Sequence, residues 1–163
     1  MDGKYENGLL MDCSVLRCWR NGDDYEPLRR FVCSMLGERP DLQIVCEVSD
    51  GLEAVNKAAR LQPDLILLDV GLPSMNGIEA SRRIRKLSPE SKILFVSQES
   101  SADVVEEAFR LGAQGYIAKT DAGSELLSAV NAVLRGETFA SSRLAEHELT
   151  GALSSFPVKE TLT

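Results

Sequence analysis

The sequence has few of the residues on which metal-binding and nucleic-acid-binding proteins usually depend. Of its 163 residues, one is a histidine and four are cysteines, and no two cysteines form a Cys-x-x-Cys pair, so a zinc site is not expected. The formal net charge is -7 and the isoelectric point is about 4.8. Because a nucleic-acid-binding domain usually carries a basic patch, this charge predicts that the chain does not bind nucleic acid directly.

Long apolar runs are also missing. No stretch approaches the roughly 20 apolar residues that a membrane-spanning helix needs. The segment Met1–Met11 lacks the basic region and apolar core of a signal peptide. With 44% hydrophobic and 26% charged residues, the composition is typical of a soluble globular domain. The sequence therefore predicts a cytoplasmic protein without a membrane partner, folded as about one domain with tails.

Between residues 24 and 136, short apolar runs alternate with stretches of helical periodicity. The runs, rich in Val, Ile and Leu, are Leu42–Val48, Asp64–Val70, Lys92–Ser97 and Gly115–Lys119. Such runs are typical of strands buried on both faces of a parallel sheet. The apolar residues at helical spacing form five groups: Leu28, Phe31, Val32, Met35 and Leu36; Leu52, Val55 and Ala59; Ile78, Ile84 and Leu87; Val104, Val105, Ala108 and Phe109; Leu126, Val130, Val133 and Leu134. This alternation predicts βαβ units, and hence an α/β fold with a parallel sheet and five helices.

A fifth strand should precede the first helix, but the run Ser14–Arg20 suits a central strand poorly. It contains Arg17, Trp19 and Arg20, whereas a strand covered on both faces is normally apolar throughout. We nevertheless assign the strand to this run, which makes the sheet five-stranded and doubly wound.

Five polar residues are candidates for the functional site. In an open parallel α/β sheet, sites lie at the carboxyl ends of the strands. Asp69 lies near the end of one predicted strand, Ser97 and Lys119 end two others, and Asp23 and Asp24 precede the first helix. Asp69 is a candidate nucleophile for a phosphoryl group. Three carboxylates so close together would repel unless a cation lay between them, and oxygen ligands of this kind favour Mg²⁺.

Each candidate also has an ordinary structural explanation. Asp69 is compatible with a turn or capping residue, and the pair of aspartates before the first helix with an N-cap followed by a first-turn acid. Lys119 taken alone is equally compatible with an exposed surface lysine, Ser97 with a plain strand-end serine and Tyr116 with a packed aromatic side chain. The residue pattern by itself leaves these alternatives open.

The segment 63–77 carries the most specific pattern, Pro-Asp-Leu-Ile-Leu-Leu-Asp-Val-Gly-Leu-Pro-Ser-Met-Asn-Gly. It is similar to the phosphorylation segment of response regulator receiver domains, an Asp followed by Leu-Pro-x-Met-x-Gly. The segments 92–97 and 112–119 match in order and spacing. Over about residues 23–141 the chain resembles these domains of bacterial two-component systems, most closely the LuxR-type subfamily. The resemblance implies a flavodoxin-like sheet of strand order 2-1-3-4-5, flanked by five helices.

The resemblance also implies a role for each candidate in phosphoryl transfer. Asp69 would accept a phosphoryl group from a sensor histidine kinase, and Ser97 and Lys119 would contact the phosphate. Tyr116 would rotate inward as Ser97 moves toward the phosphate.

The same resemblance implies a Mg²⁺ site. Asp24 and Asp69 would bind the ion together with the backbone carbonyl of Gly71, and Asp23 would act through water.

The family also suggests a domain division. We expect an N-terminal extension at 1–13, a receiver domain at 14–136 and a C-terminal extension or truncated linker at 137–163. LuxR-type regulators usually carry a helix-turn-helix output domain, for which the 27 residues after Gly136 are too few. The chain is therefore expected to be a stand-alone receiver or part of a longer protein. Homodimerisation is a further expectation, and DNA would be bound only through an output domain.

Two alternatives of a different class remain. Trp19–Gly22 stands where the family has a run of Val, Ile or Leu, which favours a degenerate receiver that acts only as a protein-interaction module. Phosphatases of the haloacid dehalogenase type also use a strand-end Asp, but with a second Asp two residues later, where this chain has Gly71. We therefore expect no enzyme activity beyond slow self-phosphorylation and autodephosphorylation.

Overall fold

The computed structural model describes residues 5–6, 9–10, 13–18, 34 and 38–141. The strands are β1 (Tyr5–Glu6), β2 (Leu9–Leu10), β3 (Cys13–Cys18), β4 (Leu42–Val48), β5 (Leu65–Leu68), β6 (Lys92–Ser97), β7 (Gly115–Ala118) and β8 (Phe139–Ala140). The helices are α1 (Gly51–Leu61), α2 (Gly77–Leu87), α3 (Ala102–Arg110) and α4 (Ala122–Leu134), and a 3-10 turn covers Lys119–Asp121. Most of the first predicted helix, and all of a short helix predicted at Ser142–Leu153, lie outside the described residues.

The main sheet confirms the predicted strand order. Its six strands run β4-β3-β5-β6-β7-β8 and pair in parallel, so the five predicted strands follow the order 2-1-3-4-5. The sixth strand, β8, was not predicted. It pairs with the start of β7, so the sheet continues past residue 136, where we placed the end of the domain. A separate antiparallel pair, β1 and β2, precedes the sheet.

The sheet separates two apolar layers, because side chains alternate between its faces. Ile66 and Leu68 of β5 face a layer formed with α1, α2 and α3. Leu65 and Leu67 face a second layer formed with α4. All four are fully buried, which explains why this strand is continuously apolar. No helix in the described part of the chain has the length and apolarity needed to cross a bilayer.

Local signals at the helix starts agree with the structure. Asp50, Asn76 and Ser101 are the N-caps of α1, α2 and α3, and each side chain accepts a hydrogen bond from the backbone N–H three residues later. Two predicted core positions were wrong, because Leu52 and Leu87 are 48% and 49% exposed. The buried residues of α1 are Gly51, Ala54, Val55 and Ala58. Their spacing of i, i+3, i+4 and i+7 defines the face of the helix that packs against the sheet, and Leu52 does not lie on it.

The unusual strand β3 lies inside the sheet, between β4 and β5. Val15, Leu16 and Cys18 are fully buried and Arg17 is 4% exposed. Arg17 Nη2 lies 2.5 Å from Glu47 Oε2 on β4, and the register places these two residues opposite each other. A buried guanidinium is tolerated in a strand when it is paired, and the carboxylate comes from the neighbouring strand.

Candidate functional site

Asp69 directly follows β5 and lies at the carboxyl end of the sheet. Its backbone N–H donates to the Cys18 carbonyl over 3.2 Å, which extends the pairing of β5 with β3 by one residue. The residue is 6% exposed. A carboxylate this buried requires a cation or hydrogen-bond donors, and the structure supplies both.

Lys119 supplies the cation. Its Nζ lies 3.1 Å from Asp69 Oδ2, and the two side chains are 1% and 8% exposed. We predicted that Lys119 ends β7, but it begins the 3-10 turn that follows this strand. This turn directs the ammonium group back over the end of β5. The exposed-lysine alternative is excluded by this geometry.

The loop after Asp69 supplies a hydrogen-bond donor. The backbone N–H of Gly71 donates to Asp69 Oδ1 over 3.1 Å. Both carboxylate oxygens therefore have a partner, one charged and one neutral. The N–H of Gly77 donates to the Val70 carbonyl over 2.7 Å, which brings the start of α2 against the end of β5. A Cβ on Gly77 would overlap the Asp69 carbonyl, so this close approach requires glycine.

Ser97 and Tyr116 lie beside the acid pair. Ser97 ends β6, is 1% exposed, and its Oγ accepts a hydrogen bond from the Glu99 N–H over 3.1 Å. Tyr116 of β7 is fully buried and its hydroxyl donates to the Glu99 carbonyl. Its ring stacks on Phe95 with centroids 5.5 Å apart. Burial raises the pKa of Tyr116, and a hydrogen bond to Ser97 opposes this in part. Tyr116 is thus in the inward position.

Asp69, Ser97 and Lys119 line an open pocket of about 140 Å³ at the ends of β5, β6 and β7. The lining residues are Asp69, Val70, Gly71, Ser97, Gln98, Glu99 and Lys119. Gln98 and Glu99 were missed in the sequence analysis. Their position directly after the predicted strand-end residue Ser97 was the signal that could have identified them, since loops at this edge of a parallel sheet form its sites.

The acid pair expected at the metal site, Asp23 and Asp24, lies outside the described residues. Within residues 13–18 and 38–141, no group of three or more His, Cys, Asp or Glu side chains could hold a metal ion. The donors that are described, a carboxylate of Asp69 and the exposed backbone of Gly71, are hard oxygen ligands of the type that Mg²⁺ prefers. The segment Trp19–Gly22, which precedes the acid pair in the sequence, also lies outside the described residues.

Residues 23–131 match the response regulator receiver domain family. The transcriptional regulatory protein LiaR of Bacillus subtilis (strain 168) is 34% identical over 123 residues, which cover 76% of this chain and 58% of LiaR. The response regulator protein VraR of Staphylococcus aureus (strain Mu3 / ATCC 700698) is 36% identical over 116 residues, covering 71% of this chain and 56% of VraR. The chain thus spans less than two thirds of the length of these relatives.

Solved structures give the same picture. A two-component response regulator of the LuxR family from Aurantimonas sp. SI85-9A1 superposes with a TM-score of 0.76 at 27% identity, covering 87% of this chain and 99% of that one. The response regulator domain of Thermotoga maritima CheB superposes with a TM-score of 0.66 at 30% identity, covering 76% and 97%. The fold predicted from the sequence and the resemblance to the LuxR type are both confirmed.

Proposed function

Because this chain belongs to the response regulator receiver domain family, we propose that it is a phosphorylation-controlled signalling module with Asp69 as the phosphoacceptor. The observation that carries the proposal is the buried pair of Asp69 and Lys119 at the base of an open pocket. A structural ion pair would need no such opening. A nucleophile that reacts with a partner's phosphoryl group needs it.

The transfer step follows from the contacts of Asp69. A carboxylate oxygen attacks the phosphorus of a phosphohistidine on a sensor kinase, a P–O bond forms, the P–N bond breaks and the electron pair returns to the imidazole. The product is an acyl phosphate on Asp69. Lys119, already 3.1 Å from Oδ2, offsets the charge of the phosphoryl oxygens, and the Ser97 hydroxyl is a further donor once it leaves the Glu99 amide.

The described donors fit Mg²⁺ in type, and we propose that Asp69 and the Gly71 carbonyl bind it together with Asp24, with Asp23 acting through water. When bound, the ion offsets charge on the transferring phosphoryl group. The protein's own contribution is to hold the Asp69 carboxylate in place through the Gly71 N–H and the Lys119 ammonium group.

Phosphorylation adds roughly -1.5 to -2 charges at this point. The groups that respond are those held by neutral hydrogen bonds beside it, Ser97 and Tyr116, which share Glu99 as a partner. A shift of Ser97 toward the phosphate therefore changes the loop that begins α3. We propose that this biases a two-state surface formed by 101–112, 115–119 and α4 toward partner binding or homodimerisation.

We further propose that the partners are a sensor histidine kinase and a second copy of the chain, in a cytoplasmic phosphorelay. No enzyme activity is proposed beyond slow self-phosphorylation and autodephosphorylation. Direct binding to DNA or a membrane is not part of the proposal, and DNA would be reached only through an output domain.

Intact mass after incubation with acetyl phosphate tests the proposal. We expect a gain of one phosphoryl group in the presence of Mg²⁺, none in its absence, and none in Asp69→Asn. Asp103→Asn, on the exposed first turn of α3, is the matched control and should gain the group. Modification of Asp69→Asn to the wild-type extent would exclude Asp69 as the acceptor.

The second candidate function is a phosphorylation-independent interaction module. The segment Trp19–Gly22 favours it, because this segment stands where the family has a run of Val, Ile or Leu. Absence of modification in the wild type, under conditions that label an ordinary receiver domain, would favour this candidate.

A further inference from the structure

The loop that follows Asp69 folds back on itself before α2 begins. The Leu72 N–H donates to the Val70 carbonyl over 2.9 Å, and the Met75 N–H donates to the Pro73 carbonyl over 2.7 Å. Ser74 adopts a left-handed backbone with φ 69°, which is uncommon for a residue other than glycine. These contacts shape the loop but do not attach it to the rest of the domain.

Attachment comes from the N-terminus of α1. The Gly51 N–H donates to the Pro73 carbonyl over 3.0 Å. The Asp50 carboxylate joins both elements, because Oδ1 accepts from the Glu53 N–H over 2.8 Å as the helix cap and Oδ2 accepts from Ser74 Oγ over 3.4 Å. Two residues that lie 19 and 18 positions before Asp69 in the sequence, Asp50 and Gly51, therefore hold the loop that carries Gly71.

Glycine is required at position 51 for space. A Cβ built there would overlap the Met75 carbonyl and touch Met75 Cβ, and the atoms that it overlaps belong to the backbone. A flexible side chain cannot move aside to relieve such an overlap. The loop itself would have to retreat by roughly an ångström, whereas a Cβ on Gly71, inside the loop, would meet nothing within 4 Å.

We propose that Asp50 and Gly51 are positioning residues for phosphoryl transfer: they fix the loop 71–75 and thereby the Gly71 backbone beside Asp69. The inference rests on the proposed function, since it names further residues of the same site. Its mechanism is indirect, because neither residue touches the Asp69 carboxylate. A misplacement of about 1 Å costs about a hundredfold in rate when it reaches the reacting groups in full. Because the displacement here reaches Asp69 only through the loop, we expect a loss of at least about tenfold.

The test compares Gly51→Ala with wild type and with Gly136→Ala. Gly136 has φ 91° and open space around it, so alanine there lowers stability through backbone strain, away from the loop. Acetyl phosphate labelling is followed by mass spectrometry well below the melting temperature of each variant, over a range of Mg²⁺ concentrations. We expect Gly51→Ala to lose at least about tenfold in maximal rate and to need more Mg²⁺ for half-maximal rate. Gly136→Ala should lower only the melting temperature.

Amide hydrogen exchange separates this inference from the proposed function. Exchange of the loop 71–75 should be faster in Gly51→Ala than in the other two proteins, whether or not Asp69 is phosphorylated. If wild type is labelled and Gly51→Ala is labelled at the same rate, the inference is overturned. It is also overturned if wild type is not labelled and the loop exchanges equally fast in wild type and Gly51→Ala. No labelling of any protein, with faster loop exchange in Gly51→Ala, would overturn the proposed function and with it the role in phosphoryl transfer, and would support only the attachment of the loop by these residues.

A second variant covers the case in which Gly51→Ala does not fold. Asp50→Ser keeps a residue that caps α1 well but is too short to reach Ser74. We expect a smaller loss of labelling rate, about two- to fivefold, with helix content unchanged. An unchanged rate together with unchanged loop exchange in this variant would contradict the role given to Asp50.

Discussion

The buried pair of Lys119 and Asp69 gives a prediction that needs no phosphodonor. Lys119→Met removes the cation while keeping most of the side-chain volume, and leaves a carboxylate 8% exposed with the Gly71 N–H as its remaining described partner. Breaking a buried ion pair from one side costs about 3–5 kcal/mol. Because the pocket admits some water to Asp69, we expect the lower end, about 3 kcal/mol of unfolding free energy.

The companion variants complete a double-mutant cycle. Asp69→Asn leaves the ammonium group buried but keeps an oxygen that accepts a hydrogen bond, so we expect a loss of about 1–2 kcal/mol. In the double variant neither charge is left without its partner. Its loss should therefore fall short of the sum of the single losses by about 2 kcal/mol.

Urea unfolding followed by far-ultraviolet circular dichroism measures these differences, provided that the dependence on denaturant is unchanged among the variants. Arg110→Ala is the control, because Arg110 pairs with Glu106 while 58% exposed and should change stability by less than about 1 kcal/mol. If the loss of unfolding free energy in the double variant equals the sum of the two single losses to within about 0.5 kcal/mol, the view that the two buried charges stabilise each other is refuted.

Three further predictions concern packing and titration. Since burial raises the pKa of Tyr116 above its ordinary value of 10.0, its phenol should stay protonated in the folded protein at pH 10–11, and stability should fall as the pH rises above 10. Hydrogen bonds from Arg82 and Arg83 lower the pKa of Glu79 to about 2. The stability that they contribute is present above the unfolded value of 4.5 and should be lost as the pH falls toward 2. Ile84→Ala, at a fully buried position of α2, should cost about 2–5 kcal/mol.

Each of these has a matched comparison. Ultraviolet titration of wild type against Tyr116→Phe should show no difference at pH 10–11 until the protein unfolds, and a difference in the folded state would contradict the burial argument. Glu79→Gln should converge with wild type in stability near pH 2, and a constant gap would contradict the pairing. Leu87→Ala lies on the same helix as Ile84 but is 49% exposed. An equal loss for both variants would show that burial does not control the cost.

Much of the architecture was predictable because its signals are local. The predicted run Lys92–Ser97 coincides with β6, since a near-continuous apolar sequence is typical of a strand covered on both faces. The predicted run Leu42–Val48 coincides with β4, but this strand lies at the edge of the sheet and its burial alternates, so the expectation that it is buried on both faces was wrong. The helix predicted from the spacing of Ile78, Ile84 and Leu87 matches α2, whose caps are Asn76 and Ser88. The choice of helix face was less predictable. Leu52 is exposed because the buried face of α1 is formed by Gly51, Ala54, Val55 and Ala58, and Leu52 does not lie on that face.

The functional site likewise has features that the sequence predicts and features that it does not predict. The sequence alone determined which residues stand at strand ends, and hence that Asp69, Ser97 and Lys119 would meet, because carboxyl ends of parallel strands share one edge. Only the tertiary structure decided how they meet. Contacts between segments that are 17 to 50 residues apart determine the pairing of Lys119 with Asp69, the inward position of Tyr116 and the attachment of the loop to Gly51. Such contacts produce no periodic pattern in the sequence.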